Sequence, residues 1–123
     1  MSAELEGHMS GRRAERVGET LREALAEVIL REIKDPRVGS VSITSVRVSA
    51  DLGTAWVRFR CLGDEASQQR CLAGLRSAQG FLRAQLLRRL DLRRAPQLVF
   101  EVDSTLPEIE RLARALRDVT SEN

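Results

Sequence analysis

LRSAQGFLR, Leu75–Arg83, is the stretch on which the reading of this chain turns. It lies inside a long helical pattern, yet it contains Gly80, and glycine costs a helix interior about 1 kcal/mol relative to alanine. Three readings compete: one straight helix, two helices meeting at a corner, or a glycine loop that clamps a phosphate backbone. A Gly-x-x-Gly clamp is excluded, because the nearest earlier glycine is Gly74, six residues upstream. A single straight helix would not favour glycine. The spacing therefore predicts a corner, with Ala78 as its small residue and Gly80 as its flexible one. Phe81 and Leu82 then resume the apolar stripe, and Arg83 opens a basic face.

Around this corner the helical region runs over 63–90. Asp64 is its expected N-cap. Leu72, Leu75, Gln79, Leu82 and Leu86 fall on one stripe, which Phe81, Leu87 and Leu90 widen in the second half. Pro96 closes the region, since proline cannot donate to a helix and disfavours one before it.

Upstream lie two strand patterns. In 41–49, Val41 and Ile43 share one parity while Val46 and Val48 share the other, which predicts a β-bulge near Thr44 or Ser45. In 55–61, Ala55, Val57, Phe59 and Cys61 point one way and Trp56, Arg58 and Arg60 the other. Between them ADLGT reads as a turn formed by Asp51 and Gly53, giving an antiparallel hairpin with one open face.

A first helix is predicted over 12–33, with Val17, Leu21, Leu25, Val28 and Ile29 on one stripe, Ser10 as N-cap and Pro36 as its stop. A third strand is expected over 97–103, with Leu98, Phe100 and Val102 on one face. A short amphipathic helix should follow, capped by Ser104 or Thr105, with Pro107 near its first turn and Ile109, Leu112, Ala113 and Leu116 on its apolar side. Residues 1–11 are expected to form a disordered tail, 12–118 one domain and 119–123 a short tail. The order helix, strand, strand, helix, helix, strand, helix implies a two-layer α+β sandwich with helices on one face of a three-stranded sheet.

Composition narrows the chemistry. One Trp, three Phe and no Tyr leave the core largely aliphatic. Net charge is only +2, but residues 47–94 carry +6, against −1 for 1–46 and −3 for 95–123. Nineteen of the twenty basic residues are arginine, the side chain best suited to bidentate phosphate contact. No acid occurs between Ala66 and Leu90. A charge run on a helix is ordinarily a solvated face, but one without neutralising acids points to a polyanion. The candidate RNA-binding residues are Arg76, Arg83, Arg88 and Arg89 in the helical region and Arg93 and Arg94 after it. Arg76 and Arg83, seven apart, would share a face of an unbroken helix. On the open sheet face, Arg47, Arg58 and Arg60 surround Trp56, which either stacks on a base or packs under the terminal helix or against arginine stems. Glu15, Glu19, Glu23 and Glu27 make one side of the first helix acidic, so that side should face away from RNA or towards a protein.

Catalysis finds no support. The single histidine, His8, sits in the tail, so neither serine nor cysteine has a base to activate it. Cys61 and Cys71 lack metal-ligand or redox-motif spacing and read as reduced core or boundary thiols. Asp51 and Asp103 suit turn and strand-end roles. No metal, cofactor, signal peptide or membrane span is implied.

Several segments resemble one family. REIKDPRVGSVSITSVRVSADLGTAWVRF, LRSAQGFLRAQL and LRRAPQLVFEVDS are similar to bacterial ribosome-binding factor A, from about Arg12 to about Leu116. The resemblance implies a type II KH fold in which an Ala-x-Gly kink, here Ala78, Gln79 and Gly80, replaces the Gly-x-x-Gly loop. It further implies a non-enzymatic cytoplasmic monomer that binds the small (30S) ribosomal subunit and its 16S rRNA. Such factors help mature the 5′ region of that RNA, aid growth in the cold, and are released by a ribosome-associated GTPase. The chain departs from the family pattern after Ser104, where Pro107 and Glu108 replace a glycine. A different class, a protein-interaction module whose basic patch binds an acidic partner, shares the same charge pattern.

Overall fold

The computed structural model describes residues 11–104, 112, 113 and 115–117. Helix α1 (Arg12–Glu32) is followed by a 3-10 turn (Pro36–Val38), strands β1 (Ser42–Val48) and β2 (Thr54–Arg60), helices α2 (Glu65–Ser77) and α3 (Gln79–Arg89), and strand β3 (Gln97–Val102). β2 is central. It pairs antiparallel with β1 and parallel with β3. A parallel pair cannot be joined by a tight hairpin, so α2 and α3 form the crossover between β2 and β3. This is the type II KH-like sandwich, with its helices on one sheet face.

The bulge falls where parity places it. Ile43 opposes Phe59 and Ser45 opposes Arg58, so Thr44 is the extra residue. After it Val46 and Val48 rejoin Ile43 on the helix side, opposite Val57 and Ala55. That inner face meets Leu21, Leu25 and Val28 of α1 and Leu75, Leu82 and Leu86 of α2 and α3, all fully buried. The side chains on the outer face of β2 are Trp56, Arg58 and Arg60.

α1 can lie this close to β1 only because residue 18 is glycine. A β-carbon there would sit 2.6 Å from the Val46 carbonyl oxygen. Gly74 has a similar task in α2, where a β-carbon would stand 3.2 Å from Cβ of Arg37 in the 3-10 turn. Asp35 builds that turn. Its carboxylate accepts from the Arg37 backbone N–H at 2.9 Å and from the Arg37 guanidinium at 2.6 Å. The guanidinium, more than the backbone bond, holds the Asp35 carboxyl below its ordinary range.

Other details differ from the sequence reading. In the hairpin turn the left-handed residue is Leu52, with φ 61°, and not Gly53. The Ser49 hydroxyl and the Asp51 carboxylate take up the Gly53 N–H, which holds the turn in this form. Phe81 and Leu87 remain 44% and 41% exposed, because a helix packed on one side buries only a narrow stripe, filled here by Leu82 and Leu86. Residue 11, a glycine without a side-chain cap, starts α1. Gly11, expected at the end of a tail, instead precedes α1; residues 1–10 with Ser10, the tail 119–123, Thr105, Pro107 and Ile109 lie outside the described residues. Leu112 and Leu116 are helical but 60% and 59% exposed.

Candidate nucleic-acid interface

The corner predicted from LRSAQGFLR is present, and it sits at Ala78. There φ is −86° and ψ is 0°, outside both helices. The Ala78 N–H donates to the carbonyls of Gly74 and Leu75, ending α2, and the Ala78 carbonyl accepts from the Leu82 N–H at 2.9 Å, starting α3. Asp64 caps the other end of α2 by accepting from the Ser67 N–H at 2.9 Å, as its position predicted. Gly80 belongs to α3, and a β-carbon on it would meet nothing within 4 Å. Close helix approach therefore does not explain this glycine. Within the described chain that explanation belongs to Gly18 and Gly74.

The break separates arginines that sequence spacing would group. Arg76 is exposed on α2. Arg83, beyond the corner, turns under the loop that precedes β3. Its Nε donates to the Pro96 carbonyl and its Nη2 to the Ala95 carbonyl, both at 3.0 Å. Arg89 bridges back to α1, 3.4 Å from Glu27 and 3.6 Å from Glu32. Arg88 points outward with no hydrogen bond or ion pair among the described residues, and neither has Arg76. Arg93 and Arg94 are exposed in the loop after α3, beside the hairpin turn.

A second group lies on the far side of the sandwich. Across the open sheet face the register aligns Arg47, Trp56 and Val99 in one row. Arg58 in the next row stands 3.6 Å from Glu101, and Arg60 3.9 Å from Asp103. Asp103 also accepts from the hydroxyl of the bulged Thr44 at 2.7 Å. Trp56 is half-buried. The nine candidate arginines thus form three groups, at the helix corner, on the loop after α3, and on the open sheet.

Their contacts set what each can do. A guanidinium already fixed by carbonyls or carboxylates must give up those bonds before it can hold a phosphate. Arg76 and Arg88 need no such exchange. Among the described residues no cluster of His, Cys, Asp and Glu could hold a metal ion, and no helix is long and apolar enough to cross a membrane. The two cysteines, ten residues apart in sequence, meet in the fold. Burial, and then the neighbouring Cys61 sulfur, push the Cys71 thiol up to about 12, so Cys71 stays protonated and unreactive.

The family model for ribosome-binding factor A matches residues 13–116. The chain belongs to the ribosome-binding factor A family. Two solved relatives come from Thermus thermophilus. The crystal structure of its ribosome-binding factor A is 31% identical, spans 76% of this chain and 99% of that one, and superposes with a TM-score of 0.68. A homology model of the same factor, fitted into a cryo-EM map of a 30S complex, is 30% identical over 76% and 98% of the two chains, with a TM-score of 0.63. The solution structure of a Thermotoga maritima protein described as a candidate ribosome-binding factor A is 25% identical over 78% and 92%, with a TM-score of 0.67. The matched span runs from the start of α1 past β3, so the corner and all three arginine groups lie within the part this family shares.

Proposed function

We propose that this chain binds the small ribosomal subunit through its 16S rRNA and assists maturation of the 5′ region of that RNA. In this reading it acts by binding and not by catalysis, in the cytoplasm, as a monomer released by a ribosome-associated GTPase. The observation that carries the reading is the helix pair α2–α3, free of acids from Ala66 onward, which exposes Arg76 and Arg88 with no hydrogen bond or ion pair among the described residues. Family membership supports it, as does the Thermus factor placed in a 30S complex. Arg93 and Arg94 would extend the contact, and Arg47 would lie beside Trp56 on the open sheet face. Arg83, Arg89, Arg58 and Arg60 would act mainly by shaping the surface, and Trp56 would supply a stacking plane on the other face.

Phosphate neutralisation gives affinity and orientation with little base selectivity. The natural substrate would therefore be a folded RNA presenting phosphates in a fixed array. Sedimentation with purified small subunits, with and without the 5′ precursor segment, tests the proposal. Stoichiometric cosedimentation, stronger with precursor-bearing subunits, is expected. Absence from the subunit fraction at low salt would refute subunit binding, and equal binding to both forms would refute the 5′ role alone.

A further inference from the structure

On the side of the domain where the hairpin turn meets the start of α1 and the loop after α3 lies a cavity of about 390 Å³. Its floor is apolar, made by Val17, Leu52, Leu92 and Pro96. Its rim carries three arginines, Arg13, Arg93 and Arg94, and two carboxylates, Asp51 and Asp91. Arg13 and Arg93 make no hydrogen bond or ion pair among the described residues, and Arg94 stands within electrostatic reach of Asp51.

The cavity has a rigid wall. The Ser49 hydroxyl donates to Asp51 Oδ1 at 2.7 Å, and the Gly53 N–H donates to the same oxygen at 2.9 Å. The Gly53 carbonyl accepts from the Gln97 N–H at 2.9 Å, which ties the turn to the start of β3. This network holds Leu52 at φ 61°, a conformation that branched residues rarely adopt. Such strain persists where surrounding structure fixes it, often at ligand-holding sites. Here its consequence is a leucine side chain lining the pocket.

The chemistry of the lining selects a ligand class. A bare phosphate ion would meet Asp51 and Asp91 along with the arginines and would leave the apolar floor uncovered. A ligand with a flat, weakly polar body, hydrogen-bond donors and flanking phosphates satisfies all three features. The volume also suits a single small ring system and its sugar. We propose that this pocket seats one unstacked nucleotide of single-stranded RNA. The base lies on Leu52 and Leu92, and the adjoining phosphates lie against Arg13, Arg93 and Arg94. The assignment rests on the rRNA-binding reading and adds to it a place where a single-stranded segment is held by its base.

The test uses the full chain and two fluorescent oligomers, hexauridylate and an abasic ribose-phosphate hexamer with the same phosphates. The wild type should bind hexauridylate about tenfold more tightly than the abasic hexamer, one decade being 1.4 kcal/mol. Arg93→Glu with Arg94→Glu should weaken both oligomers by about tenfold through lost phosphate contacts. Leu52→Gly should erase the difference between them, and glycine accepts φ 61° without strain, so this variant keeps the turn. Equal binding of the two oligomers to the wild type, or an undiminished preference in Leu52→Gly, would overturn the assignment. So would tighter binding of an acidic, leucine-bearing hexapeptide, which would make the pocket a protein-docking site. Sedimentation with small subunits separates this outcome from the broader reading. If the wild type cosediments yet ignores the base, the pocket assignment alone fails; if it neither cosediments nor binds either oligomer, both fail.

Discussion

Gly18 and Gly80 both stand inside helices, and their surroundings treat them in opposite ways. At the crossing of α1 over β1, a β-carbon on Gly18 would come within 2.6 Å of a backbone oxygen. At the α2–α3 corner, a β-carbon on Gly80 would meet open space. The first region is specified from within, by contact. The second is open on its outer side, where Arg76 and Arg88 make no hydrogen bond or ion pair among the described residues. One half of the helical layer builds the domain, and the other presents it.

The sharpest way to break this contrast is Gly18→Ala. Better helix propensity returns about 1 kcal/mol, but the clash with Val46 cannot be relieved by a side chain, and overpacking of this kind costs about 1–3 kcal/mol or more. A net loss of about 1–2 kcal/mol by chemical denaturation is expected, and unchanged stability would remove the close-approach account. Next come the arginines. Arg83→Ala strips the Ala95 and Pro96 carbonyls of charged donors and should cost about 1.5–3 kcal/mol. Arg88→Ala should stay within about 0.5 kcal/mol of the wild type. Equal effects would mean that the two arginines do not differ in role.

A smaller effect is expected at the corner itself. Gly80→Ala should stabilise the fold by up to about 1 kcal/mol, since its φ is compatible with alanine and the space is empty. Subunit binding by the same variant should nevertheless weaken, because only a partner could sense the added methyl; equal or better binding would sink that idea. The smallest effect concerns Asp64. Its carboxyl lies below the ordinary range, chiefly through the Ser67 backbone N–H. A depressed folded-state value contributes stability above the unfolded-state value, and that contribution is lost as pH falls through the folded one. Asp64→Ala should therefore melt lower than wild type at neutral pH, and the gap should close as pH falls below the ordinary aspartate range. A gap that persisted in acid would point to packing instead of the cap.

Much of this was legible in sequence because local rules and the fold agreed. The parity switch between Ile43 and Val46 could only be a bulge, and Pro36 and Pro96 could only be stops. The corner was legible too, because a glycine in an otherwise strong helical stripe demands a reason. Ala78 belongs to that reading and is where the bend sits, but the role given to Gly80 differs, since it lies inside α3 with open space beside it. The partners of the arginines were not legible. Arg83 and Arg89 look like Arg76 and Arg88 in a one-dimensional charge run, and only packing reveals carbonyls under one and the α1 glutamates beside the other. Leu52 gave no signal either, because a left-handed leucine is decided by Ser49 and Asp51 bonding around it. The same limit hid Gly18, whose neighbour Val46 is distant in sequence.

Cosedimentation with purified small subunits over a salt series, comparing the wild type with Arg76→Glu/Arg88→Glu, tests the presenting role of the corner most directly. The wild type should lose affinity linearly in log salt. The double variant, with an unchanged melting temperature, should bind at least tenfold more weakly, with a slope shallower by about 1.5 for two lost phosphate contacts. Identical affinity and slope for the two proteins would contradict the account.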